Sequence, residues 1–223
     1  MVEEERHVAR REHPILQLAI DLTSAADALR IVERIYPAFD ILEIGTPLIL
    51  NEGFSIVGKI KQRFPGKRYL ADIKIADSGY LEAAGAFRSG ADIVTVLGVA
   101  DDRTVRGVLD AAGEYGGEVM VDMLGVADLF VRAKQVEAMG VSMICLHTAH
   151  DLKGTGVDPM ADLRALRDVV TRLVAIAGGL KPDDVGRAIT LGADVIVIGG
   201  GIIADHDPRK AAEAILQMMR APS

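Results

Sequence analysis

The chain has one cysteine, Cys145, in 223 residues, so no disulfide can form within it, and a lone thiol fits a reducing compartment. A cytoplasmic location is the expectation. Aromatic residues are scarce, at 4%, while half of all residues are hydrophobic. The core must then be built from Val, Ile, Leu and Ala, the side chains that fill a parallel barrel. No apolar run is long enough to span a bilayer, so no membrane partner is expected. The opening MVEEERHVARREHP lacks the apolar segment of a secretion signal and reads as a charged, solvated tail over residues 1–14. No basic stripe on any expected helix offsets the formal net charge of -7, which argues against nucleic acid as a partner. A small anionic substrate remains open, because it responds to nearby helix ends and metals more than to net charge. No Pro-rich or Gly/Ser linker breaks the chain, and residues 15–223 read as one domain.

What is present is a series of short β-branched apolar runs separated by amphipathic stretches, the written form of repeated βαβ units. Eight such runs occur: ILQLAID from Ile15, FDILEIG from Phe39, RYLADIK from Arg68, ADIVTV from Ala91, EVMVDM from Glu118, SMICLH from Ser142, RLVAIAGG from Arg172 and ADVIVIGG from Ala193. Each is nearly continuous in apolar residues, as strands covered on both faces require. Between them, helical spacing recurs at Phe54, Val57, Ile60 and Phe64, at Val105, Val108, Leu109 and Ala112, and at Ala212, Ile215, Leu216 and Met219. The pattern predicts an α/β fold, a single (β/α)₈ TIM barrel. A doubly wound open sheet competes, but no G-x-G-x-x-G follows the first strand, and eight even units are the number that closes a barrel.

In such a barrel the strand C-termini face the mouth, where active sites lie. Here they carry Asp21, Glu43, Asp72, Lys74, Asp122 and His147. Asp122 reads equally as a mouth residue or as a simple cap of the following helix. Asp72 and Lys74 are two apart on one strand, so their side chains should point the same way. A lysine among apolar neighbours needs carboxylates, and Asp21, Asp72 and Asp77 are expected to provide them. A purely structural ion pair is the competing account. Glu43 and Asp72 on adjacent strands offer two oxygen ligands suited to Mg²⁺, or equally two acceptors for sugar hydroxyls. His147 is placed for acid/base work, whereas Cys145 lies one layer deeper and reads as core packing. Gly178-Gly179 and Gly199-Gly200-Gly201 follow the last two strands, where backbone amides can close on a phosphate.

These residues sit within a wider likeness. From Leu16 to Met219 the chain resembles the orotidine-monophosphate-decarboxylase-like barrels, through LQLAID, EIGTPLILNEG, LADIKIADSG, VDMLGV, LHTAHD and the two glycine clusters. The Asp-x-Lys-x-x-Asp pattern at Asp72, Lys74 and Asp77 is the most specific of these. The resemblance implies that Asp72, Lys74, Asp77 and His147 are catalytic. It implies that Glu43 and Asp72 hold Mg²⁺, or Mn²⁺ in its place. Asp21, Glu43, Gly178, Gly179, Gly199 and Gly200 would bind a small phosphorylated sugar, with His150 a further candidate on its position alone. Asp77 would reach into a second subunit's site, which makes the protein a homodimer. The implied reaction is a reversible aldol joining formaldehyde to ribulose 5-phosphate through a metal-stabilised enediolate. The chief alternative is decarboxylation of 3-keto-L-gulonate 6-phosphate, but the decarboxylases carry arginines where this chain has His150 and Gly200. His150 departs from the synthases as well, which usually show an aromatic residue there, and its reading as a binding residue or a plain loop residue stays open. A ribulose-phosphate epimerase would need histidine metal ligands on inner strands, where only His147 is offered, and a non-catalytic barrel would not need Lys74 among acids.

Overall fold

The computed structural model describes residues 13–152 and 154–221; nearly all of the expected tail over 1–14 lies outside them. All eight apolar runs become strands of one closed parallel barrel in sequential order, with the first and last strands paired. The strands are β1 (Ile15–Ile20), β2 (Ile41–Ile44), β3 (Arg68–Ile75), β4 (Ile93–Leu97), β5 (Glu118–Asp122), β6 (Met143–His147), β7 (Leu173–Ala177) and β8 (Val195–Ile198). Around them run α1 (Ala25–Ile35), α2 (Thr46–Glu52), α3 (Ser55–Arg63), α4 (Gly79–Arg88), α5 (Asp102–Tyr115), α6 (Leu129–Ala138), α7 (Leu163–Val169), α8 (Val185–Thr190), α9 (Gly200–Ile203) and α10 (Pro208–Arg220).

Two apolar layers follow from the alternation of strand side chains. Outward residues such as Leu16, Leu18, Ile20, Leu42 and Ile44 pack under the helices, together with Val32, Val105 and Ile215. Inward residues such as Ile15, Ile41, Leu70, Ile93, Met120 and Met143 fill the barrel. Fully burying one such Leu or Ile stabilises the fold by roughly 1.5–3 kcal/mol, so loss of alternation in a single strand would be costly. Helix ends are set locally: the carboxylates of Asp101 and Asp128 accept from Arg103 N and Val131 N at the starts of α5 and α6, which holds otherwise orphaned amides.

The inward face changes character along β2 to β6, and this positions the site. Ile41 gives way to Glu43, Leu70 to Asp72, Ile93 to Thr95, Met120 to Asp122, and Cys145 to His147. On these strands the barrel is apolar toward its base and polar or ionisable toward its mouth, while β7 and β8 stay apolar throughout. Among the described residues only β3 breaks the regular ladder, where the register shifts between Ala71 and Ile75 against β4.

Candidate active site

Lys74 is the centre of the mouth. Its Nζ lies 2.6 Å from Asp72 Oδ2 and 3.4 Å from Asp122 Oδ2. Asp122 Oδ2 also meets His147 Nδ1 at 2.8 Å, and Asp122 Oδ1 accepts from Leu124 N at 3.0 Å. On the neighbouring strands, Gln17 Nε2 donates to Glu43 Oε2 at 2.6 Å. Asp72 Oδ1 accepts from Thr95 Oγ1 at 2.8 Å, and Thr46 Oγ1 lies 2.9 Å from Asp72 Oδ2. Glu43, Asp72, Lys74, Asp122 and His147 line one small open pocket, together with Met120 and Cys145.

The electrostatics follow from crowding. Burial pushes the Glu43 carboxyl up, Asp72 beside it pushes it further, and its pKa reaches about 8. Asp21 is raised for the same two reasons, desolvation and then Asp72, although Lys74, His147 and His150 oppose the rise. Burial alone would lower Lys74, but Asp72 and Asp122 outweigh it and hold the ammonium above the ordinary lysine value. Asp122 shows the mirror image: burial raises it, and the bond to His147 with the charges of His147 and Lys74 bring it below the ordinary range. Cys145 is buried and its thiol is raised well up, first by burial and then by Asp122. It is core, as expected, and no nucleophile.

A profile described as the orotidine 5′-phosphate decarboxylase / HUMPS family matches residues 14–215. The chain belongs to that family. Among its relatives, the 3-hexulose-6-phosphate synthase of Bacillus subtilis (strain 168) is 39% identical over 205 residues, covering 92% of this chain and 98% of the relative. The 3-hexulose-6-phosphate synthase 2 of Staphylococcus saprophyticus is 41% identical over 199 residues, covering 89% and 93%. Of solved structures, 3-hexulose-6-phosphate synthase from Salmonella typhimurium superposes with a TM-score of 0.89 at 37% identity, covering 92% of this chain and 98% of that one. KGPDC from Streptococcus mutans gives 0.87 at 25% identity, covering 93% and 97%.

Within this family frame the residues singled out from sequence fall into three groups. Glu43, Asp72, Lys74 and His147 converge as expected. Asp21 stands at the rim, open to solvent and without an ion pair to Lys74. A Cβ on Gly45 would overlap its Oδ1, so the absent side chain there makes its berth. His150 opens a short 3₁₀ turn and is exposed, near enough for its charge to act on Asp21. Gly178 has φ +110° and a Cβ there would strike the backbone of Thr148, whereas Gly200 borders open space. Asp21 and Asp77 both depart from expectation as partners of Lys74, and Asp77 stands outside the mouth altogether. It is exposed after β3 has ended and accepts from Ser78 N at 2.7 Å; Asp122 takes the position facing the ammonium instead.

Four residues that complete the site were missed or left open by sequence reading: Gln17, Thr46, Thr95 and Asp122. Asp122 is no helix cap, since α6 is capped by Asp128. For Gln17 and Thr95 the available signal was a polar side chain at an inward position of an apolar strand.

The donor set can be tested against a divalent cation. Among the described residues no three His, Cys, Asp or Glu side chains form a cage for a metal. Glu43 and Asp72, however, are hard oxygen donors buried side by side, and the charge of Asp72 raises the cost of ionising Glu43. A divalent ion relieves that repulsion and takes its remaining ligands from water or substrate, the habit of Mg²⁺. The residues present therefore fit such an ion.

Proposed function

We infer that this chain is an aldehyde-lyase of the 3-hexulose-6-phosphate synthase type, joining formaldehyde to D-ribulose 5-phosphate to give D-arabino-hex-3-ulose 6-phosphate, and reversing that reaction. The observation that carries the reading is the meeting of Lys74, Asp72, Asp122 and His147 at the mouth of a barrel about 40% identical to synthases of that name.

The chemistry needs a base for a proton beside the ketose carbonyl, stabilisation of the negative charge that follows, and exclusion of competing proton donors. Asp122 accepts from His147 Nδ1, which leaves Nε2 with its lone pair as the base and fixes the ring. The Lys74 ammonium, held charged by two carboxylates, supplies electrostatic stabilisation of the developing oxyanion. Mg²⁺, or Mn²⁺, held by Glu43 and Asp72 would supply Lewis-acid stabilisation of the same charge. Asp21 and His150 at the rim are suited to sugar hydroxyls, and Gly178, Gly179, Gly199 and Gly200 to the phosphate. A homodimer with Asp77 reaching across its interface belongs to this reading; the exposure of Asp77 beside exposed Tyr80 and Leu81 supports it. The lone buried cysteine supports a cytoplasmic enzyme. No helix among the described residues is long and apolar enough to cross a membrane.

Decarboxylation of 3-keto-L-gulonate 6-phosphate is the second reading, favoured by the likeness to KGPDC and opposed by the missing side chain at Gly200. One assay separates them. Purified protein with Mg²⁺ is expected to consume formaldehyde in the presence of ribulose 5-phosphate and to release no CO₂ from 3-keto-L-gulonate 6-phosphate. CO₂ release without formaldehyde loss would reverse the assignment. His147→Gln is expected to lower turnover by about 10²-fold or more.

A further inference from the structure

We propose that Thr95 is the positioning residue of the site lysine, a role that rests on the synthase reading above only in calling that lysine catalytic. Thr95 sits in β4 among Val94 and Val96, 3% exposed. A threonine hydroxyl carries one proton and two lone pairs. Ile73 N and Lys74 N both donate to Oγ1, at 3.0 and 2.9 Å. With both lone pairs taken, the proton is committed to Asp72 Oδ1 at 2.8 Å.

The backbone explains why this hydroxyl is needed. Against β4 the partners run from Ala71↔Val94 to Ile75↔Val96, so four steps of β3 are matched by two of β4. The bulge takes the amides of Ile73 and Lys74 out of the regular ladder, and Thr95 Oγ1 receives them. Lys74 itself has φ +47°, the left-handed region that a side chain with a Cβ disfavours. Such a conformation persists only where its surroundings over-determine it. Here one hydroxyl holds the amide of Lys74 and the carboxylate that its ammonium meets, so backbone and side chain are fixed from a single atom.

The test replaces the hydroxyl by a methyl of the same shape. Thr95→Val is expected to lower kcat by about 10²-fold with KM for ribulose 5-phosphate changed less than about threefold, the cost of a misplaced group. Thr95→Ser is expected to recover kcat to within about fivefold. A Thr95→Val enzyme that melts lower but turns over normally per folded molecule would overturn the proposal. Two readings do not depend on the reaction. In a crystal structure of Thr95→Val the Lys74 ammonium should leave Asp72, and finding it unmoved would also overturn the proposal. In the unaltered protein the amides of Ile73 and Lys74 should exchange with deuterium as slowly as neighbouring ladder amides, and fast exchange would count against the bulge lock even if the valine variant failed to fold. Absence of formaldehyde consumption by the unaltered enzyme would remove the synthase reading and leave these two measurements to decide the role of Thr95.

Discussion

The two rims of the barrel use the same residue type in opposite ways. At the N-terminal rim, Asp40, Asp92 and Asp194 each stand just before a strand and accept from the amide of the second residue of its neighbour: Leu16 N at 3.0 Å, Tyr69 N at 2.9 Å and Val174 N at 2.8 Å. Each also has a cation of its own, Arg220 at 3.2 Å, Lys61 at 2.6 Å and Arg167 at 3.4 Å. At the C-terminal rim Asp21, Glu43, Asp72 and Asp122 surround Lys74, the one lysine or arginine paired with any of them among the described residues. Acids matched singly to a donor and a cation are staples. Acids crowded beyond their cations conflict with stability, and such local conflict marks a place where the fold serves chemistry.

The strongest way to break this contrast is to remove a lysine from each rim. Lys74→Met is expected to lower kcat/KM at least about 10³-fold, near 4 kcal/mol of transition-state stabilisation, while Lys61→Met leaves kcat within about twofold. Steady-state formaldehyde consumption measures both. Comparable losses at the two rims would dissolve the distinction.

A smaller effect concerns the pH dependence of stability. Folded Glu43, with its pKa raised from 4.5 to about 8 by burial and by Asp72, holds a proton that the unfolded chain releases. Stability conferred by that proton is complete below about pH 4.5 and is lost as pH rises through about 8, at up to about 1.4 kcal/mol per pH unit for one group. Metal-free protein in EDTA is therefore expected to melt several degrees lower at pH 8 than at pH 6. Glu43→Gln should flatten that slope, and a slope equally steep in the variant would remove Glu43 as its source.

Much of this contrast is legible before any coordinates. Continuous apolar runs mark the strands because both faces are covered, and the strand-end acids stand out against them. Asp77 misled because three residues of sequence were taken for proximity, whereas β3 ends at Ile75 and the chain turns Asp77 outward. Thr95 stayed hidden because a threonine among valines is ordinary strand composition, and only the register sets it against Asp72. Asp122 needed the β5–β6 register as well: Asp122 pairs with Cys145, which places His147 one inward step above. The bulge at Lys74 carried no glycine or proline to announce it.

The smallest expected effect is the most discriminating, because it asks whether a staple is only a staple. Asp92→Asn keeps an oxygen for Tyr69 N and removes the charge opposite Lys61, in a pair whose side chains are 34% and 36% exposed. Water screens such a pair, so the loss should stay below about 1 kcal/mol, a fall in melting temperature of no more than about 2–4 °C for a chain of this size. A double-mutant cycle with Lys61→Met should return a coupling of the same size, and kcat should not move. Were Asp92→Asn instead to lower kcat tenfold at unchanged melting temperature, the base of β4 would be coupled to Thr95 and Lys74 at its top, and the N-terminal rim would have to be counted as part of the catalytic apparatus.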